Sequence, residues 1–306
     1  MSRAARGTLM VVAAAVCWGA FSTVAKVLFL EGAVSPQALA GIRAALAVSL
    51  LVPALLLWDP TLLRVRFADL PLLAFLGVAG MAMNNFFYLT TIHLTAVATA
   101  VLLQYMSPIL VAWYAVAVER RPLTGRLLFA LAVAVTGCAL VVRGYDLVAL
   151  RLSLPGLATG LASACFFAVY TLAGQRALRR VASWTVVTYA FGFAALFWFL
   201  LTPPWVLLGG HPPRVWVLLL LFVILGTVVP FGLFVRALAH VSAVTAQIMS
   251  TLEPVVAAAA AFLVLGERLE ALQLFGGGLV LVAVLLAQGV AGGTAPAIGA
   301  GQTPKS

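Results

Sequence analysis

Met249-Ser250-Thr251-Leu252-Glu253-Pro254 places a carboxylate and a proline in the middle of an otherwise apolar segment, Ala243 to Leu265. Proline removes a backbone donor and crowds the carbonyl group four residues earlier, so a helix must kink or open at this point. A charged glutamate at the centre of a bilayer costs about 2.5–3.5 kcal/mol by insertion scales. A second interrupted segment, Gln104-Tyr105-Met106-Ser107-Pro108, stands 146 positions earlier. Interrupted segments at matched positions in the two halves of a membrane protein indicate a transport site.

The composition is that of a membrane protein. Of the 306 residues, 64% are hydrophobic and only 8% are charged, and the mean hydropathy is +1.17. Such a chain lacks the polar residues that would cover the surface of a soluble globule. The net charge of +10 comes from basic residues that stand singly or in small groups between long apolar runs. This pattern is typical of charged loops in a polytopic membrane protein and argues against a nucleic-acid partner.

Ten apolar segments predict an all-α polytopic fold. The first of them is long enough to span a bilayer, which argues against a cleavable signal peptide. The tail, 291–306, is rich in Gly, Ala and Pro, and we predict that it is disordered and cytoplasmic. The predicted spans are 8–30, 37–58, 70–92, 96–118, 124–142, 154–175, 183–202, 214–238, 242–265 and 270–290.

The distribution of basic residues predicts the orientation. With the N-terminus inside, twelve loop or terminal basic residues fall on the cytoplasmic side and four, Arg143, Arg151, Arg214 and Arg268, fall on the outer side. This positive-inside bias predicts that both termini are cytoplasmic, in a multi-pass protein of the bacterial plasma (inner) membrane.

The two halves of the chain repeat each other. His93-Leu94-Thr95-Ala96-Val97 corresponds to His240-Val241-Ser242-Ala243-Val244, and Pro108 corresponds to Pro254 at an offset of 146. Each unit holds five predicted spans, and because five is odd, the second unit must enter the membrane from the opposite side. Inverted repeats are characteristic of carriers that alternate access about a central site, although a duplicated scaffold would show the same pattern.

The motifs resemble a known family. They are Cys17-Trp18-Gly19 followed by Lys26, Ser35-Pro36 with Arg43, Ser107-Pro108, and Leu252-Glu253-Pro254 leading to Gly266-Glu267-Arg268-Leu269. Over roughly 8–290 the chain resembles two EamA domains of the drug/metabolite transporter superfamily. The resemblance implies ten transmembrane helices in two inverted five-helix repeats, 8–142 and 154–290, around a central cavity for small metabolites, often exported amino acids. The second copy departs from the pattern where Phe166-Phe167 replaces Trp-Gly.

The first two spans carry candidate binding residues. Trp18, Ser22 and Lys26 recur every four residues and share one helix face. Lys26 either faces the interior or extends to the lipid headgroups. Arg43 is flanked by small residues suited to helix contact, so we expect it to be buried against a partner helix, where it could bind a substrate carboxylate.

Polar residues on other spans complete the predicted cavity. Amides in hydrocarbon require a partner helix or a water-filled cavity, so the asparagines of the third span either bond neighbouring helices or bind substrate. Aromatic residues at the same depth suit an amphipathic or aromatic substrate, although aromatic residues on membrane helices also serve as packing. The predicted cavity residues are Trp18, Ser22, Lys26, Arg43, Asn84, Asn85, Tyr88, Gln104, Tyr105, Phe166, Tyr170 and Glu253, with Pro108 and Pro254 at the helix breaks.

Glu253 has three candidate roles. It could carry a proton that drives transport, act as counter-ion to a cationic group of the substrate, or bond the backbone freed by Pro254. The sequence leaves these roles open.

These patterns predict a secondary transporter that exports small metabolites, most of all amino acids, including aromatic ones. The alternatives are multidrug or nucleoside-type efflux and, in another class, a membrane scaffold or assembly protein. No hydrolase or metalloprotease motif is present, so we expect no enzyme, no catalytic residue, no metal and no cofactor. The expected partners are a small-molecule substrate, the lipid bilayer and protons as the candidate coupling ion, with the chain acting as a monomer or homodimer.

Overall fold

A computed structural model describes residues 2–30, 34–151, 153–210, 212–265 and 268–291. Across these ranges all regular secondary structure is helical, which confirms the predicted all-α fold. The predicted tail after residue 291 and the Gly266-Glu267 pair lie outside the described residues.

The first half of the chain consists of helices that follow the predicted spans to within a few residues. Short 3-10 turns at Pro60–Leu63 and Phe67–Asp69 connect the second and third spans. The helices are α1 (Arg3–Leu30), α2 (Pro36–Trp58), α3 (Leu70–Phe75), a π-helical segment (Leu76–Met83), α4 (Asn84–Leu94), α5 (Val97–Gln104), α6 (Ser107–Ala117) and α7 (Gly125–Val141).

The second half has the same order of long helices, and two short helices, α8 and α11, lie in its connections. Its helices are α8 (Leu147–Leu150), α9 (Leu154–Ala177), α10 (Ser183–Leu201), α11 (Pro204–Leu208), α12 (Pro213–Val223), a π-helical segment (Ile224–Val228), α13 (Val229–Ala237), α14 (Ala243–Ser250), α15 (Leu252–Leu265) and α16 (Ala271–Ala291).

The number of membrane crossings depends on α7. Among the described residues, nine helical segments have the length and hydropathy to cross a bilayer, and α7 is a shorter apolar helix of 17 residues. At 1.5 Å per residue it extends about 25 Å, close to the lower limit for a hydrocarbon core of about 30 Å. Ten crossings therefore stay a prediction.

Both predicted helix breaks are present. Helix α5 ends at Gln104 and α6 begins at Ser107, while α14 ends at Ser250 and α15 begins at Leu252. Each proline lies in the first turn of the helix that follows its break. A proline is tolerated there because the first N–H groups of a helix have no partner within that helix.

Two π-helical segments interrupt the third and eighth predicted spans, and the sequence periodicity does not predict them. Shifted back by 147 positions, Ile224–Val228 falls inside Leu76–Met83, so both repeats carry the feature at the same place. Close helix crossings accompany them. A Cβ atom on Gly77 would lie 2.7 Å from the Ala190 carbonyl oxygen, and one on Gly226 would lie 3.0 Å from Phe21 Cβ. Such π segments often occur at functional sites.

Side-chain contacts near the two ends of α7 place the loops after α6 and α15 on opposite sides of the bundle, as inverted repeats require. At one end of the bundle Arg176 donates to the Tyr114 hydroxyl group at the end of α6, at 2.7 Å. At the other end Arg143, just after α7, forms a 2.8 Å ion pair with Glu270, just before α16. Because α7 runs between these two ends, the loops that follow α6 and α15 lie at opposite ends. This is the arrangement that an odd number of spans per repeat requires.

The α7–α16 crossing supports a matched pair of substitutions. A Cβ atom on Gly276 would lie 2.8 Å from the Gly137 carbonyl oxygen and 2.9 Å from the Val141 amide nitrogen, whereas one on Gly278 would meet nothing within 4 Å. We expect Gly276→Ala to lower the stability by about 1–3 kcal/mol, because backbone atoms on α7 would have to move. Gly278→Ala should be neutral or stabilising, since alanine is favoured over glycine in a helix. Thermal unfolding of the two detergent-solubilised variants tests this, and equal midpoints would contradict the close crossing.

Candidate functional site

A cavity lies between the two repeats at the helix breaks. Its volume is about 40 Å³. Gln104 at the end of α5 and Glu253 at the start of α15 both line it, so it adjoins both breaks. The lining residues are Trp18, Arg43, Asn84, Asn85, Tyr88, Gln104, Phe167, Phe231 and Glu253.

The cavity is small in this structure. A buried water needs about 10–15 Å³, so a cavity of about 40 Å³ has room for a few waters. Binding pockets for small molecules are commonly 300–1,000 Å³. The cavity is therefore smaller in this structure than a typical small-molecule site.

Arg43 is buried in the interior, as its small-residue face on α2 predicts. Its side chain is 4% exposed. Nε donates to Thr227 Oγ1 at 2.6 Å and Nη2 donates to the Gly226 carbonyl at 3.3 Å, both in the second π segment. The rings of Phe222 and Phe231 lie 5.0 and 5.4 Å from the guanidinium carbon, within range of cation–π attraction. The π segment therefore holds this cation in place.

Glu253 is the buried acid of the site, with 5% exposure. Its Oε2 accepts a 2.7 Å hydrogen bond from the Tyr105 hydroxyl group, which also lies 2.7 Å from the Ser250 carbonyl oxygen. Tyr105 thus connects the break in the first repeat with the break in the second. Tyr105 is itself 1% exposed and supports the wall behind Glu253 without lining the cavity.

The polar residues of α4 behave in two ways. Asn85 donates from Nδ2 to the Met81 carbonyl at 2.8 Å, so one amide is used within its own π segment and helix. Asn84 Oδ1 and the Tyr88 hydroxyl oxygen are buried and have no hydrogen-bond partner among the described residues. Buried acceptors without partners are costly, so these two groups are suited to a ligand in the cavity.

On α9 the residue that lines the cavity is one position later than predicted. Phe167, not the predicted Phe166, lines the cavity, while Phe166 stacks on Phe87 at 5.5 Å with an interplanar angle of 2°. Successive helical residues differ by about 100° in direction, so only one member of the pair can face inward. Tyr170 lies behind this wall, edge-on to Phe231 at 5.5 Å.

Phe231 is, after Phe167, the second cavity residue that was not predicted from the sequence. It makes an edge contact with Trp18 at 5.1 Å and stands 147 positions after Asn84, its partner in the repeat. Applying the repeat offset to Asn84 would have found it. With Trp18 and Phe167 it forms an aromatic wall.

Two predicted residues stay untested by the geometry. The backbone of Ser22 and Lys26 belongs to α1, but their side chains lie outside the described part of the structure. The residues that line the cavity are Trp18, Arg43, Asn84, Asn85, Tyr88, Gln104 and Glu253. Tyr105 and Tyr170 contact lining residues without lining the cavity, and Phe166 contacts Phe87 instead.

The hairpin histidine of the second repeat is poorly suited to relay protons. Burial, together with the charges of Arg3, Arg236 and Arg6, lowers the pKa of His240. The imidazole is therefore neutral near pH 7. Within the described ranges, no group of three or more His, Cys, Asp or Glu residues lies close enough together to hold a metal ion.

Known proteins resemble this chain in sequence and in fold. The profile of the EamA-like transporter family matches residues 5–143 and 154–288. The chain is 31% identical over 294 residues to the uncharacterized inner membrane transporter YicL of Salmonella typhimurium (strain LT2), covering 94% of this chain and 96% of that protein. It is 32% identical over 283 residues to the threonine/homoserine exporter RhtA of Escherichia coli (strain K12), covering 90% and 88%. A protein of known crystal structure has the same fold, with a TM-score of 0.75 at 19% identity over 93% of this chain and 97% of that one.

The two family matches cover nearly the whole chain and agree with the resemblance seen in the motifs. The relatives and the apolar helices identify a multi-pass protein of the inner membrane. The chain therefore belongs to the EamA-like transporter family and is a membrane transporter, not an enzyme.

Proposed function

We propose that this protein is a secondary transporter that exports amino acids by alternating access around the central cavity. The observation that carries the proposal is the pair of buried ionisable residues, Arg43 from the first repeat and Glu253 from the second, lining one cavity beside both helix breaks. Ionisable residues inside a membrane protein mark substrate or ion pathways, and broken helices surround transport sites.

The relatives support the substrate class. The Escherichia coli relative, at 32% identity, is named a threonine/homoserine exporter. The rings of Trp18, Phe167 and Phe231 favour substrates with an apolar or aromatic side chain. The same rings make multidrug or nucleoside-type efflux the second candidate, because flat aromatic substrates would stack on them.

The repeats supply the moving parts. We take 8–142 and 154–290 as the two units that rock against each other, which would open the 40 Å³ cavity to either side in turn. The positive-inside bias supports a cytoplasmic location for both termini. Glu253 is the candidate carrier of a coupling proton, because it is the acid that lines the cavity.

Flux measurements in proteoliposomes test the proposal. Vesicles are loaded with radiolabelled threonine, homoserine, phenylalanine, a nucleoside or a cationic dye, and efflux is followed with and without a pH gradient. We expect saturable efflux of at least one amino acid, accelerated when protons are supplied on the trans side.

Each of the other possible results would overturn one part of the proposal: the substrate class, the carrier mechanism or the coupling ion. Saturable flux of the nucleoside or dye alone would replace amino acids by the second candidate. Flux that does not saturate would indicate a channel, and folded protein without any flux would indicate a scaffold. Efflux that ignores the pH gradient would remove the proton as coupling ion.

A further inference from the structure

Two buried ionisable groups of opposite charge share the cavity without forming an ion pair within 4.0 Å. Arg43 and Glu253 are 4% and 5% exposed and both line it. Among the described residues the ion pairs within 4.0 Å are Arg121–Glu119, Arg143 with Asp146 and Glu270, and Arg180–Asp69, and none involves this pair. The guanidinium and the carboxylate therefore face the same small space across a gap.

Some atoms of each charged group are hydrogen-bonded within the protein, and others are not. On Arg43 the hydrogen bonds to Thr227 and Gly226 use Nε and Nη2. On Glu253 the bond from Tyr105 uses Oε2. Within the described part of the chain, Arg43 Nη1 and Glu253 Oε1 make no hydrogen bond. Each group is thus fixed in direction and keeps one side for a ligand.

A third group lies on the same cavity wall. Asn84 is 3% exposed, and its Oδ1 is buried without a hydrogen-bond partner in the described structure. An amide oxygen accepts hydrogen bonds only, so it suits the same kind of donor as a carboxylate does.

We propose that the cavity recognises a zwitterion, with the substrate carboxylate on Arg43 Nη1 and the substrate ammonium group on Glu253 Oε1 and Asn84 Oδ1. This proposal rests on the proposed function and names the substrate class of that site. A ligand with both charges neutralises both buried ions, whereas an anion alone leaves Glu253 unpaired and a cation alone leaves Arg43 unpaired. Unpaired buried charges are strongly unfavourable, so analogues that lack either charge should be rejected.

Matched analogues test the assignment. Counterflow of radiolabelled threonine into proteoliposomes is measured in the presence of three unlabelled competitors. Threonine carries both charges, threoninamide lacks the carboxylate, and 3-hydroxybutanoate lacks the ammonium group. For the unaltered protein we expect at least tenfold weaker competition by each analogue than by threonine. If another amino acid proves to be the substrate, its own amide and deaminated acid replace these probes.

Two variants assign the charges to residues. Arg43→Gln should bind threonine and threoninamide about equally while still rejecting 3-hydroxybutanoate, and Glu253→Gln should show the reverse pattern. Arg176→Gln, at the exposed end of α9, is the control for loss of a cation and should leave all three competition curves unchanged. Arg43→Lys, which keeps the charge, should keep the discrimination against threoninamide.

The failures of the two proposals are distinguishable. Saturable threonine flux with equal competition by threoninamide or 3-hydroxybutanoate would overturn the zwitterion site and leave amino-acid export standing. Absence of flux for every amino acid would overturn the proposed function itself. Should the Gln variants fail to fold, the analogue series on the unaltered protein still decides the proposal.

Discussion

Gly19→Val is expected to abolish transport and to lower the yield of folded protein sharply. Gly19 lies where α1 crosses α15: a Cβ atom there would be 2.6 Å from the Glu253 carbonyl oxygen and 3.0 Å from the Ala257 amide nitrogen. These are backbone atoms of a neighbouring helix and cannot rotate away. Three added carbon atoms therefore have to push the helices apart, which we expect to cost more than about 3 kcal/mol.

The neighbouring residue is a matched control for this prediction. Ala20 is exposed on the outside of the same helix, so Ala20→Val adds apolar atoms of similar size that face lipid. Monodisperse yield and threonine efflux should fall more than tenfold for Gly19→Val and stay near the unaltered level for Ala20→Val. Normal efflux by Gly19→Val would show that α1 and α15 do not pack this closely.

Tyr105→Phe is expected to reduce transport ten- to a hundredfold. The hydroxyl group contacts both Glu253 Oε2 and the Ser250 carbonyl, at 2.7 Å each. Hydrogen bonds to charged groups contribute about 1.5–3 kcal/mol, and each 1.36 kcal/mol corresponds to a factor of ten. Removing the hydroxyl group takes away the one donor that these two buried acceptors share and frees the carboxylate to turn. The apparent affinity for threonine should fall together with the discrimination against 3-hydroxybutanoate.

A second tyrosine separates this effect from loss of a buried hydroxyl group in general. Tyr170 is fully buried, and its hydroxyl oxygen has no hydrogen-bond partner among the described residues. Tyr170→Phe should therefore be neutral or slightly stabilising. Efflux kinetics and thermal midpoints of the two variants, measured side by side, check the prediction. Equal effects of both substitutions would contradict a specific role for Tyr105.

Several features of the site could be predicted because they depend on local chemistry. Pro108 and Pro254 cannot continue a helix, so both breaks were visible in the chain, and the structure has them within a few residues of each proline. Arg43 stands among small residues on an apolar helix, which left burial against another helix as the expected outcome. A charged or amide side chain in hydrocarbon has few favourable places, so polarity alone identified most of the cavity lining.

Other features could not be predicted because they depend on how helices rotate and cross. The choice of Phe167 over Phe166 follows from the rotation of α9 against its neighbours, and both residues are apolar. The π segments add a residue to a helical turn without any distinctive composition, and one of them supplies both hydrogen-bond acceptors for Arg43. The link from Tyr105 to Glu253 joins residues 148 positions apart.

The sequence alone determined the apolar runs of membrane length, the internal repeat and the two proline-broken helices. Each follows from the cost of exposing backbone or charge to lipid, which any arrangement of the chain must avoid. Only the tertiary structure decided which side chains meet. It placed a guanidinium from one repeat and a carboxylate from the other in a single cavity and fixed one edge of each. Such positions depend on helix packing at close range, where a rotation of one residue exchanges the wall of a cavity for the layer behind it.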